Sequence, residues 1–478
     1  MVLAFSVRVF FGLGLEPVAG YARTDQVVTS HPPQSTESRP GEKQITRAPH
    51  GHILTSTGVW SPDSEWIVYD TRSDPAGAVF DGAVIGMVNI HTGVVRKLYR
   101  SLHGAHCGVA TFNPSAGQVI FIGGPEYPTV DWQYGSYHRQ GLIVDITRPG
   151  HATFLDARDL SPPFTPGALR GGSHVHVFSA DGQWVSFTYE DHVLAQFAQA
   201  TTTNDINLRN VGVAVRVGPV QVKKDHPRNH DAAFFSVVVT RTTAHPQPGS
   251  DNILKACEEG WVGTDGYRRL DGSRQKRALA FQGTVVTDRS EPIAEVFLVD
   301  LPDDVKIPGD GPLAGTEFRL PFPPRGTGQR RLTHTANRPY RGLQGPRHWL
   351  RSSPDGSQIA FLMKDDSGIV QVWTVSPNGG PPMPMTHNPW SVASAFTWSP
   401  DGRRLAYIMD NSVFVTETAT GTSTRLTSRC PTETAPRPEA CVFSPDGTKI
   451  AHIRPVRDGR AWFNQVFVMF MKTPTAPD

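Results

Sequence analysis

Trp398-Ser399-Pro400-Asp401-Gly402, followed by Arg404-Leu405-Ala406-Tyr407, is the stretch that decides the fold. It reads as an apolar residue, a tight turn and an apolar strand. The same phrase recurs at Trp60-Ser61-Pro62-Asp63, Phe112-Asn113-Pro114, Phe178-Ser179-Ala180-Asp181-Gly182, Ser353-Pro354-Asp355-Gly356 and Phe443-Ser444-Pro445-Asp446-Gly447. Proline presets φ early in such a turn, aspartate bonds back to its own backbone, and glycine accepts positive φ before the next strand. Hairpins repeated every roughly 40 to 50 residues predict an all-β chain folded as a β-propeller.

A second tag closes each repeat: Arg331-Leu332-Thr333, Met383-Pro384-Met385-Thr386 and Arg425-Leu426-Thr427 have the look of outer strands. The last repeat, with strand Gln465-Val466-Phe467-Val468, lacks this tag, whereas Lys43-Gln44-Ile45-Thr46 stands alone before the first repeat. The N-terminal segment is therefore expected to complete the last blade and close the ring, which removes open sheet edges. Blades are expected to begin near His52, His103, Gly172, His226, Gln344, Ser391 and Arg437, giving a seven-bladed propeller over 43–471. The fourth lacks the repeated turn, and its strands are read at Phe234 to Thr240, Ala278 to Val286 and Glu295 to Leu301. Insertions are expected near 193–210 and 243–276, the second with a short helix from Ser250 to Glu259. Residues 1–42 read as a disordered or targeting extension, and 472–478 as a tail.

Lys and Arg number 46 against 44 Asp and Glu, so the net charge of +2 provides no bulk attraction to nucleic acid or an anionic membrane. No stretch approaches the roughly 20 apolar residues needed to span a bilayer. The four cysteines have neither metal-finger spacing nor the density of a disulfide scaffold, and read as free thiols in a reducing compartment. Val2 to Leu15 is mostly apolar, but Arg8 interrupts it, Glu16 ends it and no basic segment precedes it. A cytoplasmic monomer is the expectation, with periplasmic or secreted placement as the alternative.

In a propeller the first strand of each blade lines the central channel, so the segments just before the repeated turns are the place to look for chemistry. They read His103-Gly104-Ala105-His106-Cys107, Ser173-His174-Val175-His176, His226-Pro227-Arg228-Asn229-His230-Asp231 and Arg347-His348-Trp349. Neighbouring blades thus bring histidine to one end of the ring. Residues i and i+2 of a strand share a face, so His174 and His176 are candidate ligands of one divalent metal, with His348 and His106 placed to complete the set. Imidazole suits manganese, zinc or nickel without choosing among them. The competing reading is that these histidines bond carbonyls around a water-filled channel. Cys107 beside His106 is no nucleophilic pair, because strand neighbours face opposite ways. No Gly-x-Ser-x-Gly elbow or phosphate-binding loop is present.

The repeat resembles that of TolB-like propellers. The segments Asn89-Ile90-His91-Thr92-Gly93, Arg170-Gly171-Gly172-Ser173-His174-Val175-His176, Glu258-Glu259-Gly260-Trp261-Val262-Gly263 and Pro346-Arg347-His348-Trp349 narrow the resemblance to YidR-type bacterial proteins. More distantly, the chain resembles oligogalacturonate lyases, seven-bladed propellers whose central metal is held partly by a His-x-His pair before a Ser/Thr-Pro-Asp turn. His174-Val175-His176 stands just before Phe178-Ser179-Ala180-Asp181, although Gly171 occupies the place of that family's ligating glutamine.

The lyase resemblance implies β-elimination on uronate-containing oligosaccharides. A base takes the C5 proton, a cation neutralises the carboxylate and an acid assists the leaving oxygen. His106 or His230 is the candidate base. The metal, Arg170 or Arg347 is the candidate partner of the carboxylate, and Tyr189 or Tyr137 the candidate acid. Tyr137 and His138, in an aromatic-rich loop, are a candidate sugar-stacking rim. Bland roles compete for Tyr189, as a packed inter-blade aromatic, and for Arg170, as a donor to turn carbonyls. The functional expectation is a carbohydrate-active enzyme with a histidine-lined central site. The alternative is a non-catalytic TolB-like propeller that binds protein partners or a small ligand.

Overall fold

The computed structural model describes residues 41–55, 57–201, 208–346 and 349–471. Seven four-stranded antiparallel sheets follow one another along the chain. The inner strands of the first six are Gly51–Ile53, Cys107–Phe112, Gly171–Phe178, Ile253–Trp261, Arg351–Ser352 and Thr397–Trp398, and that of the seventh is Cys441–Phe443. The chain is a seven-bladed β-propeller.

The repeated turn works as its residues dictate. Ser179, Ser353, Ser399 and Ser444 each donate a hydroxyl to the aspartate two residues on, at 2.5–2.6 Å. Gly182, Gly356, Gly402 and Gly447 sit at φ of +68° to +74°. Each donates its N–H back to that serine's carbonyl. A Cβ at these glycines meets the left-handed steric penalty, so glycine is favoured, although Ser64 holds the same position in blade one at φ +60°.

Among the described residues seven apolar clusters each join one blade to the next, and a smaller eighth packs Ala157, Ala168, Val220 and Val222. Val68, Ile85, Phe112 and Phe121 join blades one and two, while Ile53, Tyr69, Val442 and Val466 join seven back to one. Stability is therefore spread around a closed ring, and closure itself is secured by Glu42–Gln44, which pairs antiparallel with Ala461–Phe470. The Glu42 carboxylate, buried in this seam, meets His452 Nε2 at 2.9 Å and the Arg454 guanidinium at 2.6 Å. The expected N-terminal closing strand is present, beginning one residue before Lys43.

Blade four differs from the expectation. Its inner strand is Ile253–Trp261, the segment read as a helix, and Phe235–Val238 is instead the outer strand of blade three. Pairing with Ala278–Val286 and burial of Ile253, Ala256 and Cys257 override the local helical preference of Lys255 to Glu259. The true insertion is shorter. Residues 262–277 replace the usual turn and carry a small hairpin, Tyr267–Arg268 against Arg274–Gln275. In blade three a helix, His192–Thr201, enters the expected excursion. The extension at 1–40 and the tail at 472–478 lie outside the described residues. Among the described residues no helix is long and apolar enough to cross a membrane, and Cys107, Cys257, Cys430 and Cys441 are all buried free thiols.

Candidate functional site

The inner strands of blades two, three and four carry a bulge at the same level. Val109, Val175 and Glu258 have φ of +59°, +57° and +58°. Pairing slips between Gly108 and Thr111, between His174 and Val177, and between Cys257 and Gly260. A left-handed backbone at a β-branched residue costs about 1–3 kcal/mol and persists only where its surroundings enforce it. Neighbouring blades do so here. Thr111 Oγ1 donates to the His176 carbonyl at 2.9 Å, Trp261 Nε1 to that of Val177 at 3.0 Å, and the Leu350 N–H to that of Glu258 at 3.4 Å.

The bulge changes what the two central histidines meet. His174 Nε2 lies 3.4 Å from the guanidinium of Arg139. That guanidinium donates to Glu190 at 3.0 Å, and Arg209 donates to the other oxygen of Glu190 at 3.1 Å. His176 Nε2 instead meets Ser173 Oγ at 3.0 Å, and Ser173 donates to Asp156 at 3.0 Å. Both Nδ1 atoms are buried without a hydrogen-bond partner. Burial, then the charges of Arg139, Arg209 and Lys255, hold the pKa of His174 well below 6.5. Burial lowers that of His176 to about 3. Both rings are neutral at pH 7, and the cations that disfavour a proton on His174 disfavour a metal dication there for the same reason.

Among the described residues, the expected metal ligands His174 and His176 do not converge. Because the bulge breaks the two-residue alternation, His174 and His176 direct their Nε2 atoms to different partners. No group of three His, Cys, Asp or Glu side chains among the described residues could hold a metal ion. His348 and Arg347, expected as ligand and carboxylate partner, lie outside the described residues.

Three other expected residues are committed inside the fold. Tyr189 is fully buried and donates to Asp191 at 3.1 Å. Burial and that carboxylate push its phenol well above 10, so it is no accessible acid. Arg170 is buried, donates to Asp191 at 2.7 Å and to the carbonyls of Thr316 and Arg319, and is thereby held inside the fold by all three of its nitrogens. His230 is stacked on Phe154 at 3.8 Å, with its ring nitrogens near the carbonyls of Arg228 and Asp156. Burial lowers its pKa to about 3. It buttresses the joint between blades two and three and is not positioned as a base.

His106, Tyr137 and His138 remain at the histidine-rich end. His106 is half-buried and sits edge-on to Tyr134, with ring centroids 6.5 Å apart. Tyr137 is half-buried in the loop that leads to Arg139. His138 stacks on Trp132 at 3.8 Å and meets His192 Nδ1 at 3.0 Å, so its ring faces are largely taken up by packing.

Comparison with known proteins places these residues in a family. A family model described as a protein of unknown function (DUF3748) matches residues 106–230, which contain the inner strands of blades two and three. The N-terminal region of dipeptidyl peptidase IV matches residues 372–455. "Uncharacterized protein YidR" of Escherichia coli strain K12 is 48% identical over 427 residues, covering 88% of this chain and 96% of that protein. The chain belongs to the YidR family. Among solved structures, oligogalacturonate lyase in complex with manganese aligns over 90% of this chain and 93% of its own, at a TM-score of 0.53 and 11% identity. TolB from Acinetobacter baumannii aligns over 86% and 80%, at 0.35 and 12%. At these identities the likeness is one of fold.

In this YidR-family chain the residues that surround His174 are ones the sequence reading did not single out. Arg139 comes from a loop of blade two, Glu190 and Arg209 from blade three and Lys255 from blade four. Lys255 is half-buried and close enough to lower the pKa of His174, yet no hydrogen bond or ion pair engages it among the described residues. Deeper in blade four, Glu259 accepts from Thr188 at 2.8 Å, its second oxygen is buried and unpartnered, and burial raises its pKa to about 7. The available signal was the flanks of the His-x-His strand and its partner. Lys255 was hidden because its segment reads as a helix.

Proposed function

We propose that the His174 end of the channel in this YidR-family protein binds uronate-containing oligosaccharides and acts on them by β-elimination. The observation that carries the reading is Lys255. It is a half-buried ammonium that no ion pair engages among the described residues, and it acts on His174 together with Arg139 and Arg209, which share the carboxylate of Glu190, while Glu258 also acts on Arg209. A partly desolvated excess of positive charge favours an anionic ligand, and an acidic sugar suits surroundings that also offer neutral imidazoles and aromatic rings.

The chemistry follows from the same groups. A substrate carboxylate draws Arg139 and Lys255 towards itself and stabilises the charge that develops when C5 loses its proton. A bound carboxylate offsets the cations that disfavour a proton on His174 and relieves the long Arg139 contact, which raises the basicity of Nε2 so that it takes the C5 proton. The C5–H electrons form the C4–C5 double bond, the C4–O bond breaks, and the departing oxygen takes a proton from Tyr137 or water. Manganese belongs to the lyase structure of similar fold. In this chain the described donors do not converge, so the carboxylate is assigned to Arg139, Arg209 and Lys255.

A binding propeller without turnover is the second reading, favoured by the internal commitment of Tyr189, Arg170 and His230. Incubation of the protein with trigalacturonate separates the two. Growth of the ultraviolet absorbance of an unsaturated product, lost in His174→Ala, supports the lyase. Binding by calorimetry without that product supports the binding protein.

A further inference from the structure

The most exposed aromatic pair of the described residues stands on the loops that lead to this site. His103 and Tyr127 stack with ring centroids 4.2 Å apart and 15° between planes. Tyr127 is 63% exposed, and His103 is exposed as well. Both have left-handed backbones, at φ of +50° and +48°. For tyrosine that is a genuine outlier, costing about 1–3 kcal/mol, while histidine enters this region more readily. Tyr127 is held in it from both sides. Its N–H donates to the His103 carbonyl at 2.9 Å, and the Arg228 guanidinium donates to the carbonyls of Glu126 and Tyr127 at 2.7 and 2.8 Å. No apolar neighbour rewards the strain, since the outer face of the stack is in solvent.

The two segments that supply this stack also supply the next pair inward. His106 follows His103 by three residues, and Tyr134 follows Tyr127 in the same loop; these two rings form the edge-on contact. Gly124 ties the segments together by donating to the His106 carbonyl at 2.7 Å. The loop then ends at Arg139, the partner of His174. Three successive pairs, His103–Tyr127, His106–Tyr134 and Arg139–His174, therefore run from the rim of blade two to the cationic centre. His103 and His106 are separated by at most ~10 Å of chain.

We propose that this series is an aromatic track that binds the outer units of an oligosaccharide whose acidic unit sits at His174, with Tyr127 as a preorganised stacking platform. The proposal rests on the uronate reading of the His174 site. Pyranose rings present apolar C–H faces that stack on aromatic rings, and a platform fixed in advance loses little entropy on binding. The ligand is thus a chain of several sugar units rather than a free monosaccharide.

Calorimetry of the full chain with galacturonic acid and with tetragalacturonate tests it, using wild type, Tyr127→Ala and Tyr127→Phe. The expected result is tighter binding of the tetramer by wild type, with Tyr127→Ala weakening the tetramer by about 5–10-fold and leaving the monomer unchanged. Tyr127→Phe keeps the wild-type pattern. Thermal unfolding of Tyr127→Ala near the wild-type midpoint shows that the fold is intact, as expected where alanine keeps the same left-handed backbone cost and the ring removed is largely in solvent. Equal tetramer affinity in Tyr127→Ala and wild type overturns the track while leaving the His174 reading in place. Failure of wild type to bind either sugar contradicts that reading and the track with it.

Discussion

His174 Nε2 and the Arg139 guanidinium face each other at 3.4 Å, a contact too long to be a strong hydrogen bond and too close for His174 to hold a proton at neutral pH. Arg139 is anchored on its other side by Glu190. The pair is a neutral imidazole beside an anchored cation, and the proposed lyase needs a bound carboxylate to offset that cation before His174 takes a proton.

His174→Ala and His176→Ala should therefore fail differently. The first should abolish turnover of trigalacturonate with a melting temperature near wild type, because His174 supports no internal chain of bonds. The second should destabilise the fold by about 1–3 kcal/mol, because it strips Ser173 and buried Asp156 of a neighbour. Denaturant titration beside the ultraviolet assay distinguishes them.

Ring closure should depend on one carboxylate. Glu42→Ala leaves His452 and Arg454 without their shared partner in the seam between the closing strand and blade seven, and should cost about 3–5 kcal/mol. Glu42→Gln keeps hydrogen bonds and should cost less. Equilibrium unfolding in urea provides the comparison.

Acid should weaken the protein from pH 6.5 downward. Burial sets the pKa of His52, His176, His192 and His230 to about 3 in the folded chain, against 6.5 unfolded. Between those values the unfolded chain takes up protons that the native chain excludes, so stability is full above 6.5 and falls with pH by about 1.4 kcal/mol per unit for each histidine. Asp70, Asp156 and Asp191, raised by burial, act in the opposite sense, because their native forms hold protons above pH 3.8. Melting temperatures measured from pH 7 to 4 should decline, and His230→Gln should reduce the slope by one proton.

The ring was legible because its turns are written in residues with fixed backbone preferences: Ser-Pro-Asp-Gly specifies a hairpin wherever it occurs. Blade four escaped because residues 262–277 replace that turn, and because Lys255 to Glu259 favours a helix that only pairing with Ala278–Val286 overrules. The end of the ring at which the site is proposed was marked in the sequence by its histidines. Their grouping was not, because a strand pattern carries no sign of a bulge at Val175, and one left-handed residue redirected His176 to Ser173. The environment of Arg170 and Tyr189 depends on Asp191, Thr316 and Arg319, whose proximity is set by packing between distant segments. Lys255, with no partner in its own segment to mark it, becomes visible only once blades three and four are side by side.

The most direct test is calorimetric titration of trigalacturonate into wild type, Lys255→Glu and His174→Ala at low and moderate salt. The account predicts saturable binding to wild type that weakens with salt, loss of at least tenfold in affinity for Lys255→Glu, as about 1.4 kcal/mol of charge interaction requires, and retained binding in His174→Ala. Wild-type affinity in Lys255→Glu, or no binding by wild type, would contradict the assignment of an anionic sugar to this end of the ring.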